Sequence, residues 1–337
     1  MQIDNETAQQ LLQQIRPLVS GDGYNESFEN FHLETQFNGM YWRLHPAKTA
    51  FNILFKSPDG TIAMKEIKAN MISIKDSTHH KKKDEQDEVN IIPDDSLHHI
   101  SYPSDMPQTA WLKLNAFTYT DYLSFDRKLF KALDKNNIQN LVIDLRNNTG
   151  GFVTNAVDLL KYLLQNDFYF DRGNYGFVDT SEFAALCYDK DASRNIDPMI
   201  VLSLIEHQSY QFRFLTDSVQ SPYKHFFKGN IYLLINNGTF SAASLFAVAL
   251  KEQSNCKIYG QETGGGLSGC NGGAIRMITL PHSLLQLRLP LFWMNSADSA
   301  DDKGIGLKPD IEIPISSRDL AYPILRSVIN SGIKDNK

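Results

Sequence analysis

Cysteine and concentrated positive charge are both scarce in this chain. Cys187, Cys256 and Cys270 are the only cysteines in 337 residues. They form an odd, scattered set with neither the paired spacing of a zinc site nor a disulfide framework. Core packing or idle thiols are the expected roles. The formal net charge is −6, and no dense Lys/Arg stripe runs against it, which argues against a nucleic-acid surface. No apolar run approaches the ~20 residues needed to cross a bilayer, so no transmembrane segment is expected. The opening residues, MQIDNETAQQLLQQI, lack a basic n-region and an apolar h-region, so no signal peptide is expected there. Internal repeats and low-complexity tracts are also missing. Gly264-Gly265-Gly266 follow a strand pattern without opening a helix, which excludes a dinucleotide fingerprint, and no cofactor is implied. The histidine pairs His79-His80 and His98-His99 and the carboxylates near 298–302 lack partners at ligand spacing. No metal is expected.

What is present suffices for a globular α/β protein. Apolar residues make up 42%, enough to bury a real core in one large domain or two modest ones. Residues 6–16 place Ala8, Leu11, Leu12 and Ile15 on one helical face, and Pro17 closes that helix. A weaker helical pattern covers about 27–37. Phe51–Phe55 and Ile62–Ile67 flank Ser57-Pro58-Asp59-Gly60, a hairpin signal. Residues 76–96 are charged and aperiodic and predict an exposed linker. From Ala110 the pattern becomes strand (111–117), helix (124–135), strand (Leu141–Leu145) and helix (154–165), which predicts an α/β layer with parallel pairing. Residues 166–228 give no clear pattern. Two alternating strands at 274–280 and 284–292 and a helix near 318–330 complete the chain.

Two strand ends carry the candidate chemistry. In DLRNNTGG, Gly150 and Gly151 let bare backbone amides approach a ligand. An ordinary strand-to-helix turn would use the same glycines. In NIYLLINNGTFSAASLFAVALK, an apolar strand runs into Asn236-Asn237-Gly238-Thr239, and then into a buried helix whose first turn holds Ser241. Unpaired amides and the positive end of the helix dipole converge there and would stabilise an anion. Serine is also favoured at a helix start for capping alone. Acyl transfer needs a nucleophile, a base and oxyanion donors. Ser241 supplies the first. Backbone amides of Ala242 and of Gly150 or Gly151 supply the donors if the two strands are neighbours.

NLVIDLRNNTGG resembles the signature strand of the C-terminal processing (tail-specific) serine peptidases. LINNGTFSAASLFAVAL resembles their nucleophile segment, N-x-G-T-x-S-A-S-E followed by a small apolar helix, and in that register Ser241 falls on the nucleophile. GQETGGG at 260–266 and KGIGLKPDIEI at 303–313 are similar to the two later motifs, so the resemblance covers about 109–315. It implies a ClpP/crotonase-like α/β core that hydrolyses polypeptides near apolar C-termini. It also implies a division into a small N-terminal region at 1–75, a PDZ-like remnant of helix plus hairpin, a charged linker at 76–108 and a peptidase core at 109–337. Members of the family are usually exported to the bacterial cell envelope or beyond. Their early D/G-G-H-T-like segment and their export signal have no counterpart here, so a truncated form is expected.

One departure matters for the base. Members with a Ser–Lys dyad carry lysine in G-x-x-T-F-G-K-G, where this chain has Gly266, which excludes that lysine mechanism. A branch resembling the Tricorn core uses a histidine base with acidic partners. The candidates here are His282 in the Leu280–Ser283 turn and Lys113 on the strand at 111–117, with His98, His99, Asp301 and Asp302 further afield. The missing lysine leaves a second functional class open: a catalytically inactive homologue that binds peptides or apolar ligands, as in retinoid-binding relatives of the fold. The oligomeric state is not implied.

Overall fold

The computed structural model describes residues 1–19, 21, 25–46, 48–68, 97–175, 177–179, 200–205, 209–214, 219–280, 282–298, 304–313 and 321–335. Residues 76–96 of the expected linker, Cys187, and Asp301 and Asp302 fall outside that set. The chain divides into two compact units, Met1–Ser20 with Glu29–Asp87, and Gly21–Phe28 with Glu88–Lys337.

The smaller unit contains β1 (Gln2–Ile3), β2 (Glu6–Thr7), α1 (Ala8–Ile15), most of α2 (Glu26–Leu44), β3 (Ala50–Lys56) and β4 (Ile62–Lys68). Its antiparallel sheet has the order β2-β1-β3-β4. Thr7 and Gln10 form a capping box that starts α1. Leu11 and Ile15 on the inner face of α1 bury against Met40 and Tyr41 of α2. Helix α2 outruns the 27–37 expectation because its apolar residues are spread around its circumference, leaving little periodicity to mark its ends.

The larger unit follows the expected strand–helix alternation. Its elements are β5 (His98–Ser101), β6 (Thr109–Leu114), α3 (Tyr122–Lys135), β7 (Asn140–Asp144), α4 (Val153–Leu163), β8 (Asp171–Tyr175), β9 (Phe177–Asp179), β10 (Ile200–Ile205), β11 (Ser209–Phe214), β12 (Asn230–Ile235), α5 (Ala242–Gln253), β13 (Lys257–Gly260), β14 (Gly269–Thr279), β15 (Gln286–Ser296), β16 (Ile311–Glu312) and α6 (Ala321–Asp335). The central sheet has the order β16-β13-β12-β7-β6-β5, parallel throughout except for β5, which runs antiparallel on β6. Smaller antiparallel sheets join β14-β15-β8 and β10-β11-β9.

Strand alternation sorts the core into two layers. Leu112, Leu114, Leu141, Ile143, Leu233 and Ile235 face one way and pack with α3, α4 and α5. Val142, Leu234 and Tyr259 face the other way and pack with Leu325 and Ile329 of α6. Both faces are covered, so the strands read as nearly continuous apolar runs. Each fully buried aliphatic side chain contributes about 1.5–3 kcal/mol. Helix α5 is buried from Ala242 to Leu250, which fixes the residue before it with little freedom.

One expectation is corrected here. Residues 97–101 were expected inside the charged linker, yet His98–Ser101 form an edge strand. His98 stacks on Phe125 at 3.9 Å between ring centroids and meets Tyr119 edge-on at 4.5 Å. Ile100 buries with the main core. Four residues are too few for alternation to stand out beside the charges that precede them.

Candidate active site

Parallel pairing of β7 with β12, Asp144 opposite Leu234, brings the two glycine-bearing strand ends side by side. A lattice of side-chain amides and hydroxyls then joins the turns. The Asn147 amide N–H donates to Asn236 Oδ1 at 2.8 Å, and Asn236 Nδ2 returns a bond to Asn147 Oδ1 at 2.8 Å. Thr239, fully buried, donates its hydroxyl to the Leu145 carbonyl at 2.9 Å. Asn148, also fully buried, donates Nδ2 to the Leu114 carbonyl at 3.1 Å and accepts the Gly150 amide on Oδ1 at 2.9 Å. Its own carbonyl takes the Phe240 amide at 3.0 Å. Three strand ends, those of β6, β7 and β12, thus meet at Asn148. Satisfied buried networks of this kind rigidify what they join.

Ser241 sits at the junction of this lattice and α5. It is the N-cap of the helix, yet its side chain makes no capping bond. Its backbone adopts φ 52°, ψ −129°, a region that side-chain-bearing residues avoid at a cost of about 1–3 kcal/mol. Gly150 lies directly against it: a Cβ on Gly150 would stand 2.7 Å from Ser241 Cβ and 2.9 Å from the Ala242 nitrogen. Gly150 and Gly151 have φ +100° and +143°, and a Cβ on Gly151 would meet the Phe117 carbonyl oxygen at 2.2 Å. The Gly150 amide is engaged by Asn148, whereas the amides of Gly151 and Ala242 donate to no acceptor among the described residues. An N–H at the first helical position has no intrahelical acceptor by construction.

The two later motifs close over this point. Gly265 packs on the first turn of α5, where its Cβ would lie 2.2 Å from Ser244 Oγ and 3.1 Å from the Ser241 nitrogen. Gly266 is buried and bridges to Gly306. Leu307 donates its amide to Thr263 Oγ1 at 2.8 Å, and Gly306 donates to Glu262 Oε1 at 2.6 Å. Residues 260–266 and 303–313, apart in sequence, are therefore paired.

Asn25 and Phe28, absent from the sequence-based site, complete the surroundings. Asn25 is almost wholly buried. It caps the start of α2 by accepting the Ser27 amide on Oδ1 at 2.8 Å, and its Nδ2 donates to the carbonyls of Thr263 and Gly264, 3.1 Å each. The Phe28 ring stacks on Phe240, the residue before Ser241, at 3.9 Å and 15°. The only sequence signal was Asn at a helix start, which reads as an ordinary cap.

The candidate bases His282 and Lys113 sit on different elements. His282 is exposed at the tip of the β14–β15 hairpin. Strand β14 runs for eleven residues from Gly269 to Thr279, about 30 Å of extended chain. Lys113 shares the sheet face of Trp111, away from α5. Its amine pairs with Asp144 at 3.3 Å and donates to the Arg146 carbonyl. Burial lowers its pKa, and the Asp144 charge partly offsets that. Burial alone would raise Asp144, but hydrogen bonds from Arg146 and the Lys113 charge outweigh it, leaving the carboxyl below its ordinary value. Ser241 Oγ is hydrogen-bonded to no described residue. Cys256 and Cys270 are buried, and burial pushes the Cys256 thiol up to about 12, which makes it inert. Among the described residues no acidic, histidine or cysteine cluster could hold a metal, and no helix is long and apolar enough to cross a membrane.

Residues 108–313 match peptidase family S41. The chain is 26% identical over 162 residues to carboxyl-terminal-processing peptidase 2, chloroplastic, of Arabidopsis thaliana, a match covering 48% of this chain and 24% of that protein. The chain thus spans about a quarter of the curated relative it matches. Among solved structures, mature CPAF complexed with lactacystin superposes with a TM-score of 0.56 at 14% identity, covering 98% of this chain and 76% of that one. A second structure, of mature CPAF, gives 0.50 at 15% identity, over 83% of this chain and 65% of that one. At such identities the likeness is one of fold.

Proposed function

The chain belongs to peptidase family S41, and from that premise we propose that it is a serine-type, tail-specific peptidase acting on polypeptides through Ser241. The observation that carries this reading is a serine held at φ 52° at the head of a buried helix, its hydroxyl not used as a cap. An unfavourable backbone conformation kept by a residue that bears a side chain points to a use for that side chain. In the proposed reaction Ser241 Oγ bonds to the scissile carbonyl carbon and gives its proton to a base. The oxygen that becomes negative lies against the amides of Ala242 and Gly151, with Gly150 shaping the floor. The tetrahedral adduct collapses, the C–N bond breaks, the amine leaves with a proton, and water then releases the acyl group. Gly266 supplies no base, and the hydrogen bonds described above link neither His282 nor Lys113 to Ser241 Oγ. Preorganised amides are worth about 2.7–4 kcal/mol per donor in such sites.

The finer architectural reading goes with this proposal. We take residues from β5 onward as a ClpP/crotonase-like peptidase core, supported by the parallel strands whose ends carry both glycine turns, and the N-terminal region as a PDZ-like remnant. The alternative, an inactive homologue that binds peptides or apolar ligands, is favoured by one observation: glycine at 266, in the place of the dyad lysine. Two experiments separate them. Ser241→Ala is expected to abolish turnover of an unfolded protein substrate without loss of fold, and degradation at the wild-type rate would remove Ser241 from the role of nucleophile. A fluorophosphonate probe is expected to label Ser241 far faster than free serine, whereas labelling at the free-serine rate would establish the inactive alternative.

A further inference from the structure

At the opposite end of the same parallel strands, below the starts of β7 and β12, lies a groove of ≈ 820 Å³ between α3 and residues 223–229. Its rim carries Arg127, Lys131, Lys224 and Lys228 against a single acid, Asp134. That local excess of cations opposes the chain's net charge of −6. The floor is aromatic and fixed. Phe130 stacks on Tyr162 at 4.5 Å and 4°, and Tyr162 meets Tyr223 at 4.4 Å. The Tyr223 hydroxyl donates to buried Asp158, and its amide donates to the Lys161 carbonyl at 2.8 Å. The Phe227 amide likewise donates to the Tyr162 carbonyl at 2.7 Å. The Lys228 amine stands 5.8 Å over the Phe226 ring.

We infer that this groove binds an acidic segment of polypeptide that carries an aromatic or aliphatic side chain. The rim supplies attraction for several carboxylates, and the ring floor removes an apolar side chain from water. A preformed apolar pocket with a few placed charges is the usual form of a binding site. An inorganic anion would leave the rings uncovered. A nucleic acid would bring a long run of phosphates towards a protein that is negative overall, with four cations to meet it. The groove and Ser241 lie at opposite strand ends, so binding here does not depend on turnover.

The test uses the full chain and a short fluorescein-labelled peptide in which glutamates flank one phenylalanine, read by anisotropy. Binding is expected to weaken about tenfold or more in the Lys224→Glu, Lys228→Glu double variant and to fall with added salt. It should be lost when lysines replace the peptide's glutamates, and reduced when glycine replaces its phenylalanine. Ser241→Ala should bind as the wild type does. Hydrogen exchange should show protection by the peptide at 127–138 and 223–229, a readout that also serves if the double variant folds poorly. Unchanged affinity in a folded double variant, protection elsewhere, or tighter binding of a single-stranded oligonucleotide would overturn the inference.

Discussion

The turns after β7 and β12 face the same steric problem and answer it differently. Both must fold sharply against a neighbouring backbone. The first places glycines at φ +100° and +143°, with Asn147, a residue type that tolerates the left-handed region, at φ 64°. The second places a serine at φ 52° and keeps it. Glycine meets the close approach where only backbone is needed; the proposed role of Ser241 accounts for a side chain kept there in spite of its cost.

The comparison can be broken in four places. The largest effect is expected at Gly151: Ala there meets the Phe117 carbonyl oxygen at 2.2 Å, and Gly151→Ala should lose about 3 kcal/mol or more. A denaturant midpoint equal to wild type would show that glycine is not required. Asn148→Ala removes two buried bonds and strands the Leu114 carbonyl and the Gly150 amide, with an expected loss of about 2–3 kcal/mol. A loss below ~0.5 kcal/mol would mean the strand ends hold without it. Asp144→Asn removes the carboxylate facing Lys113 and Arg146 and should cost about 2 kcal/mol at neutral pH, less than a fully buried pair because both cations are partly exposed. Since the Asp144 pKa is depressed on folding, its stabilisation is complete above the ordinary aspartate value of about 4 and is lost as pH falls through its lower folded value. The Asn variant should lack that part of the acid limb in a pH series of thermal melts. The smallest effect is a gain. Ser241→Gly relieves the positive φ and should stabilise the fold by about 1 kcal/mol while ending turnover. A loss of stability would mean the serine is comfortable and the contrast misdrawn.

Much of this region was legible because its signals are local. An apolar run, a polar turn and an apolar helix follow one another within twenty-odd residues around Ser241, and DLRNNTGG does the same around Gly150. Parallel pairing followed from the alternation of strands and helices. The cross-ties were not legible. Asn148 and Thr239 read as turn formers, and only the β7–β12 register shows that they bond across it. Asn25 acts on a carbonyl 238 residues away, and no periodicity encodes such a contact. Strand β5 was hidden by its length, and the far end of the helix at 26–44 by its even spread of apolar residues. The base has no local signal for a related reason: residue type nominates His282 and Lys113, whereas hairpin length and strand face decide where a side chain goes.

The bond from Asn25 also defines what the smallest intact unit is. The family match begins at residue 108 and contains all four motifs, yet a fragment cut there would lose the donor to the Thr263 and Gly264 carbonyls and the ring lying on Phe240. The operative domain is therefore discontinuous: a few residues near the start of the chain belong to it as fully as the helix that carries Ser241.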